Sequence, residues 1–436
     1  MTDEHHPQGP ARPVRWATVT GVEVTPVAFA DPPLLNSVGV HQPWAIRSVI
    51  RVRTDAGVVG LGESYGDQAF LGRLREMGER LVGERIVDLH RLEEIARDVL
   101  AELSVSDTHG LTGTLSPVKS VARLVAAFEV ALLDAQGHQL GVPVWALLGG
   151  QRRSRVEFSG YLFYKWAGHP GQPDDEWGPA LDPAGVVAQA RRMVDGYGFT
   201  SLKLKGGVFP PEQEAQAVLA LAEAFPGMPL RIDPNAVWTV DTSVRVAERL
   251  RGVLEYFEDP TDGRVQMAEV ARRVDVPLAT NMCVVGVEDL PEAVRLGSVQ
   301  VVLADHHYWG GLRASMELAR TAEVFGLSLS MHSNSHLGIS LAAMVHFGAA
   351  APNIGYAFDT HWPWKRPEED VVEPGVFTFR DGHLDVPTTP GLGVTLDEEA
   401  LERQHRRYLE AGILDRDDTT YMQTVDPGYR ALKPRW

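Results

Sequence analysis

Seven polar residues in the second half of the chain follow short apolar runs, and their types suit them to act together: Lys203, Lys205, Asp233, Glu258, Asn281, Asp305 and His332. From Asp233 to His332 the successive gaps are 25, 23, 24 and 27 positions, about the length of one strand-plus-helix unit. Groups with that recurrence occupy equivalent places, the carboxyl ends of consecutive strands, where barrel enzymes carry their chemistry. Asp233, Glu258 and Asn281 offer three hard oxygen donors with neither sulfur nor imidazole, a set that suits Mg²⁺. Taken singly, each would serve as well as a helix N-cap or a salt-bridge partner. Three in register favour the metal.

Lys203 and Lys205 alternate with Leu202 and Leu204, which puts both ammonium groups on one face of a strand. If the leucines meet covering helices, the lysines point into the barrel and need anionic partners there. Their mutual repulsion beside a divalent cation is expected to lower one pKa and make an amine available as a base. An exposed edge strand with solvated lysines is the competing reading. Asp305 and His332 end adjacent runs, so the carboxylate can orient the imidazole for acid–base work. His306, His307, His336, His346 and His361 compete with His332 for that role on spacing alone. A lysine facing a histidine across a mouth that holds Mg²⁺ suits removal of a proton α to a carboxylate. The metal and an ammonium take up the charge that develops, a known solution for so weak an acid.

Such a set of groups needs a β/α scaffold. Apolar runs at 156–164, 201–205, 230–234, 254–258, 277–281, 299–305, 327–332 and 354–359 read as strands. Helical stretches lie at 183–197, 211–225, 242–250, 290–296 and 312–325. The rhythm predicts an α/β fold, a modified TIM (β/α)₈ barrel or a close relative with one irregular unit. Runs of Val, Ile and Leu without alternation fit parallel strands buried on both faces. An open doubly wound sheet competes, but it has no G-x-G-x-x-G after its first strand.

Upstream, residues 45–53 and 58–63 flank the turn Thr54-Asp-Ala-Gly57 and read as a hairpin. Residues 68–139 read as helical, with Val121, Leu124, Val125, Phe128, Leu132 and Leu133 at three- and four-residue spacing. Residues 1–150 are therefore expected to form an α+β first domain and 151–367 the barrel with its metal site. The tail 368–436, with a charged helix over 396–410, is expected to pack back on the first domain.

Of 436 residues, 41 are Lys or Arg and 58 are Asp or Glu, a formal net charge of −17. That balance disfavours a nucleic-acid partner, which requires clustered positive charge. A small anionic substrate stays open, because a bound cation inverts the local sign. Cys283 is the only cysteine, which excludes an intrachain disulfide and a thiolate zinc centre. No apolar run approaches the roughly 20 residues of a spanning helix, and the start Met1-Thr-Asp-Glu4 lacks the basic and apolar parts of a secretory signal. A cytoplasmic enzyme with no membrane partner is the expectation. The subunit count stays open, and a homo-oligomer is compatible with these features.

The strand-end series resembles the enolase superfamily, and within it the D-glucarate dehydratase family, over nearly the whole length from Val22 to Trp436. Glu129-Val-Ala-Leu-Leu-Asp134, Gly141-Val-Pro143 and Leu147-Leu-Gly-Gly150 resemble the exit from the superfamily's capping domain. More selective are Lys203-Leu-Lys205-Gly-Gly207, Asp233-Pro-Asn235, Glu258-Asp-Pro260, Ala279-Thr-Asn281-Met282, Leu303-Ala-Asp305, His332-Ser-Asn-Ser-His336 and Asp359-Thr-His-Trp362. Asn281 is the sharpest of these, since the wider superfamily usually has a carboxylate as its third ligand. Two departures stand out: Ala236 replaces the family's usual Gly, and Gly62-Glu-Ser-Tyr-Gly-Asp67 lacks the expected loop pattern.

The resemblance implies an Mg²⁺-dependent hydro-lyase acting on an acid sugar through an enediolate. Lys205 and His332 would be the acid/base pair, with His332 the base for D-glucarate, Asp305 supporting the histidine, and Lys203 and Asn235 stabilising the anion. It also implies that Asn36, His41, Tyr161, Ser333, Asn334, His361 and Arg416 hold the diacid's other end, with a capping-domain threonine at Thr112 or Thr114. Rival readings are the same chemistry or an epimerisation on galactarate, idarate or a monoacid sugar, and a catalytically weak partner subunit.

Overall fold

The structure, a computed structural model, describes residues 15–100 and 117–436. Thr112 and Thr114 lie outside the described residues.

The first layer is a three-stranded antiparallel sheet of β1 (Val19–Ala30), β4 (Trp44–Thr54) and β5 (Val59–Tyr65), with the short hairpin β2 (Leu35–Asn36) and β3 (Gly39–Val40) between β1 and β4. The β4–β5 turn closes because Gly57 takes φ 75° and the Thr54 hydroxyl donates to the Val58 carbonyl at 2.9 Å. Helix Pro117–Leu140 lies directly on β5. Close approach is permitted by Gly60 and Gly62, where a Cβ would run into the carbonyls of Ala131 and Ala127.

The second layer is the barrel. Its parallel strands are β6 (Arg155–Phe163), β7 (Leu202–Lys205), β8 (Leu230–Asp233), β9 (Leu254–Glu258), β10 (Leu278–Thr280), β11 (Val301–Ala304), β12 (Ser328–Met331) and β13 (Phe358–Thr360). They run side by side in chain order from β6 to β12, and β13 pairs with β6. The gap between β12 and β13 is nearly closed by the bridge of Leu329 to Ile354.

The eighth run differs from its expected limits for that reason. Ile354 pairs back toward β12, and the chain then crosses over so that only Phe358–Thr360 joins β6. Among the described residues, helices longer than eight residues without a sequence signal appear at Gly263–Ala271 and Gly338–Ala350. Every residue of the latter is buried, so it has no polar face to create a period.

The tail touches both layers. Strand β14 (His383–Asp385) pairs antiparallel with β6. Helix Glu398–Ala411 lies on β1, where His405 Nδ1 donates to the Pro26 carbonyl at 2.7 Å. Near the last residue, Arg435 N donates to the Val237 carbonyl at 2.7 Å beside the loop after β8. No helix among the described residues is long and apolar enough to cross a membrane.

Candidate active site

Strand β7 turns Leu202 and Leu204 toward the apolar core and both lysines toward the barrel axis. Lys203 is fully buried, with Nζ 2.7 Å from Asp359 Oδ2, 2.5 Å from Glu258 Oε2 and 3.8 Å from Asp233 Oδ2. The Tyr161 ring lies 4.6 Å from the same nitrogen. Burial alone would lower the Lys203 pKa, but Asp359, Glu258, Tyr161 and Asp233 together raise it well above the ordinary lysine value. Lys203 is thus held as an ammonium among its acidic neighbours. Lys205 Nζ lies 2.6 Å from Asp233 Oδ2 and 2.5 Å from Asn235 Oδ1.

Asp233, Glu258 and Asn281 stand at or just past the ends of β8, β9 and β10. Burial raises the Asp233 pKa, but the Lys205 and Lys203 charges outweigh it and hold the group below the ordinary carboxylate range. Glu258 goes the other way: burial, then repulsion from Asp233 and Asp359, pushes it well up despite Lys203. Among the described residues Glu258 Oε1 has no hydrogen-bond partner, and Oε2 is close to Lys203 without the alignment a hydrogen bond needs. Asn281 Oδ1 is also buried and unpartnered. Orphaned buried oxygens are costly, and a hard cation would satisfy both residues at once. The donor set therefore fits Mg²⁺.

Backbone strain surrounds this set. Asn235 and Ala236 take φ of 56° and 61°, and Asp259 takes 33°. The turn lets Asn235 N donate to Asp233 Oδ1 at 2.8 Å. Asp259 accepts from Thr280 Oγ1 at 2.6 Å and from Asn281 N at 2.9 Å, and so anchors the backbone of the third donor.

On the other side of the barrel, the β11–β12 register sets Asp305 beside His332, with Nδ1 at 3.0 Å from Asp305 Oδ2. The carboxylate can only accept, so the proton sits on Nδ1 and Nε2 is left to exchange one. Of the competing histidines, His307, His336 and His346 have other partners. Burial lowers His306, His307 and His361, and it brings His336 and His346 to about 4. His307 Nε2 faces Arg47 Nη2 at 2.9 Å, and His346 Nε2 faces the Leu392 carbonyl at 3.1 Å.

The residues expected at the mouth fall into two groups, with Asn334 apart from both. Tyr161, Ser333 and His361 meet: His361 Nδ1 lies 3.2 Å from Ser333 Oγ, and its ring centroid 4.9 Å from that of Tyr161. Burial lowers the His361 pKa most, followed by the charges of His41, His336, His332 and Arg416. The second group is tied up internally. His41 Nδ1 lies 3.0 Å from Asp31 Oδ2, Asn36 Nδ2 donates to Asp418 Oδ2 at 2.8 Å, and the Arg416 guanidinium pairs with Asp418. Asn334 turns to the side wall, where Nδ2 donates to Tyr65 OH at 2.8 Å.

Sequence reasoning assigned no role to Asp359, although it too ends a strand run and the strand-end rule points to it. It also passed over Asp418 and the pair Arg47–Glu63. Arg47 Nε donates to Glu63 Oε1 at 2.9 Å, and Glu63 accepts from Leu337 N and Ser340 N, so the capping sheet grips the loop that follows β12. Strand alternation places Arg47 and Glu63, but nothing local marks partners some 275 positions away.

Residues 19–149 match the model of the mandelate racemase/muconate lactonizing enzyme N-terminal domain, and 185–400 the enolase C-terminal domain-like model. A probable glucarate dehydratase from Streptomyces coelicolor is 52% identical over 432 residues, covering 97% of this chain and 100% of that protein. A crystal structure of an enolase from Thermobispora bispora, complexed with magnesium and formate, superposes with a TM-score of 0.94 at 57% identity, covering 96% of this chain and 100% of that one. One from Pseudomonas fluorescens with bound magnesium, potassium and tartrate gives 0.94 at 47% identity, covering 97% and 100%.

Proposed function

The chain belongs to the enolase superfamily, with its mandelate racemase/muconate lactonizing N-terminal domain and enolase-like C-terminal domain, and from that premise we propose that it dehydrates an acid sugar, D-glucarate, with bound Mg²⁺. One observation carries the reading. Glu258 and Asn281 present unpartnered buried oxygens in a barrel whose mouth also holds an Asp305-oriented imidazole and the Lys205 ammonium. The name of the Streptomyces coelicolor relative and the magnesium in the Thermobispora bispora structure support the substrate and the metal.

Asp233, Glu258 and Asn281 would hold the ion. When bound, Mg²⁺ supplies positive charge to the substrate carboxylate next to the reacting carbon. His332 Nε2 takes the proton from that carbon, and Asp305 stabilises the imidazolium that results. Lys203, held cationic among its acidic neighbours, and the Asn235 side chain stabilise the charge left on the substrate. His332 then returns its proton to the β-hydroxyl. The C–O bond breaks, water leaves, and the enol becomes a keto-deoxy diacid. Lys205 serves as the base for the opposite epimer.

The test is a panel of acid sugars with added Mg²⁺, read by keto-acid formation. D-glucarate is expected to react, its reaction to vanish in His332→Ala, and that of the opposite epimer to vanish in Lys205→Ala. Turnover confined to monoacids would overturn the substrate, and no dehydration of any acid sugar would overturn the activity.

A further inference from the structure

Arg416 comes to the mouth on the tail with one edge of its guanidinium already engaged. Nε donates to Asp418 Oδ1 at 3.0 Å and Nη2 to Asp418 Oδ2 at 2.8 Å. A guanidinium has five N–H groups in a planar fork, so this side-on pairing leaves the Nη1–Nη2 edge for a second carboxylate. The Asp418 side chain is 2% exposed and that of Arg416 16%, so what remains accessible of the pair belongs to the arginine.

Asp418 holds a second donor as well. Its Oδ2 accepts from Asn36 Nδ2 at 2.8 Å, while Val38 N occupies Asn36 Oδ1 at 2.9 Å. The Asn36 amide is thereby locked with one N–H to spare. The surroundings keep the unit rigid: Arg416 N donates to Asp67 Oδ1 at 3.0 Å, Thr419 Oγ1 to the Val38 carbonyl at 2.6 Å and Asp417 N to Gln42 Oε1 at 2.9 Å. Arg416 and Asn36, on segments far apart in the chain, are aimed by one buried carboxylate. Burial would raise that carboxyl, but Arg416 and His41 outweigh it and hold it at about 2, so it stays ionised.

We propose that Asp418 is a positioning residue for substrate choice: it fixes Arg416 and Asn36 so that their remaining donors meet the second carboxylate of a diacid. The inference rests on the reading of Arg416 as the handle for an acid sugar's distal carboxylate. Because Asp418 cancels much of the arginine's charge at long range, selectivity comes from matched bidentate geometry rather than from net attraction. A monoacid sugar, with no carboxylate at that end, draws nothing from it.

The experiment compares the full-length chain with Asp418→Ala, Arg416→Ala and the double variant, with Mg²⁺ present. The readouts are KM and kcat for D-glucarate and the inhibition constant of D-gluconate. Asp418→Ala is expected to raise the D-glucarate KM about tenfold or more, with a much smaller change in kcat and in the gluconate constant. The double variant is expected to lose less than the sum of the two single changes, because once Arg416 is gone only the aiming of Asn36 is left for Asp418 to supply. Asp418→Asn, which preserves shape and one acceptor, keeps the test available if the alanine variant does not fold, and should give an intermediate KM. A lower D-glucarate KM in Asp418→Ala, equal losses against diacid and monoacid, or additive effects in the double variant would each overturn the role. An unchanged KM in Arg416→Ala, or no binding of D-glucarate by the unaltered chain, would instead sink the underlying reading first.

Discussion

Lys203 Nζ lies 2.7 Å from Asp359 Oδ2, which ties β7 to β13 across the intervening β6. Both side chains are fully buried, and Asp359 Oδ1 also stands 3.5 Å from Arg231 Nη1. The carboxylate thus balances two cations that, like it, are fully buried. Removing one partner of such a group leaves the others unpaired, which typically costs about 3–5 kcal/mol. Asp359→Ala is expected to lose stability on that scale, measured by urea unfolding. Lys203→Met/Asp359→Asn should lose less than the sum of its single changes, because the second change removes a charge that the first stranded. Additive losses would show that the two groups do not stabilise each other.

The Asp305–His332 pair leads to a kinetic prediction. In Asp305→Asn the amide can present its N–H₂ to Nδ1 and favour the wrong tautomer, which leaves Nε2 protonated and unable to accept. Turnover should fall by about 10²-fold or more. Asp305 is separate from the proposed metal donors, so Mg²⁺ affinity measured by calorimetry should barely move. A normal kcat would remove His332 from the role of base.

Two buried glutamates outside the proposed chemistry set a pH dependence of stability. Burial, against the pull of their hydrogen bonds, brings Glu129 and Glu214 from 4.5 up to about 7. Glu129 accepts from Leu312 N and Arg313 N, and Glu214 from Gly207 N, Val208 N and Phe209 N on the loop after β7. A raised carboxyl pKa means the folded chain holds the proton more tightly than the unfolded chain. The extra stability is full below about pH 4.5 and is lost as pH climbs to about 7, worth about 3 kcal/mol per group. Stability from these two groups should therefore fall with rising pH across that window, and Glu214→Gln, which cannot ionise, should flatten the slope. A slope unchanged in that variant would show that Glu214 does not titrate there.

What was legible in the sequence followed from repetition. Each βα unit repeats the same placement problem, so Asp233, Glu258, Asn281, Asp305 and His332 stand out by interval, and Leu202 and Leu204 orient the two lysines. Local patterning failed where burial is uniform or pairing is remote. Gly338–Ala350 has no polar side to betray a helix, and Ile354 to Thr360 serves two edges of the barrel in succession. Asp418 finds Asn36 at a separation of 382 residues, and Arg47 finds His307 at 260, distances over which spacing has no meaning. Only the fold brings these together.

Ala236 joins a sequence departure to a structural strain. By its resemblance to the D-glucarate dehydratase family the chain has alanine where glycine is expected, and the residue takes φ 61° and is 1% exposed. An L-residue in the left-handed region pays about 1–2 kcal/mol in contact between Cβ and the following carbonyl, a clash that glycine lacks. The turn keeps this conformation because Ala236 N donates to the Asp259 carbonyl at 2.6 Å and Asn235 N to Asp233 Oδ1 at 2.8 Å. Relief of strain in Ala236→Gly is opposed by the greater freedom of glycine in the unfolded chain, about 0.4–1 kcal/mol. A net gain of up to about 1 kcal/mol is expected, seen as a higher urea midpoint at unchanged slope. A lower midpoint would show that burial of the methyl group outweighs the strain in its backbone.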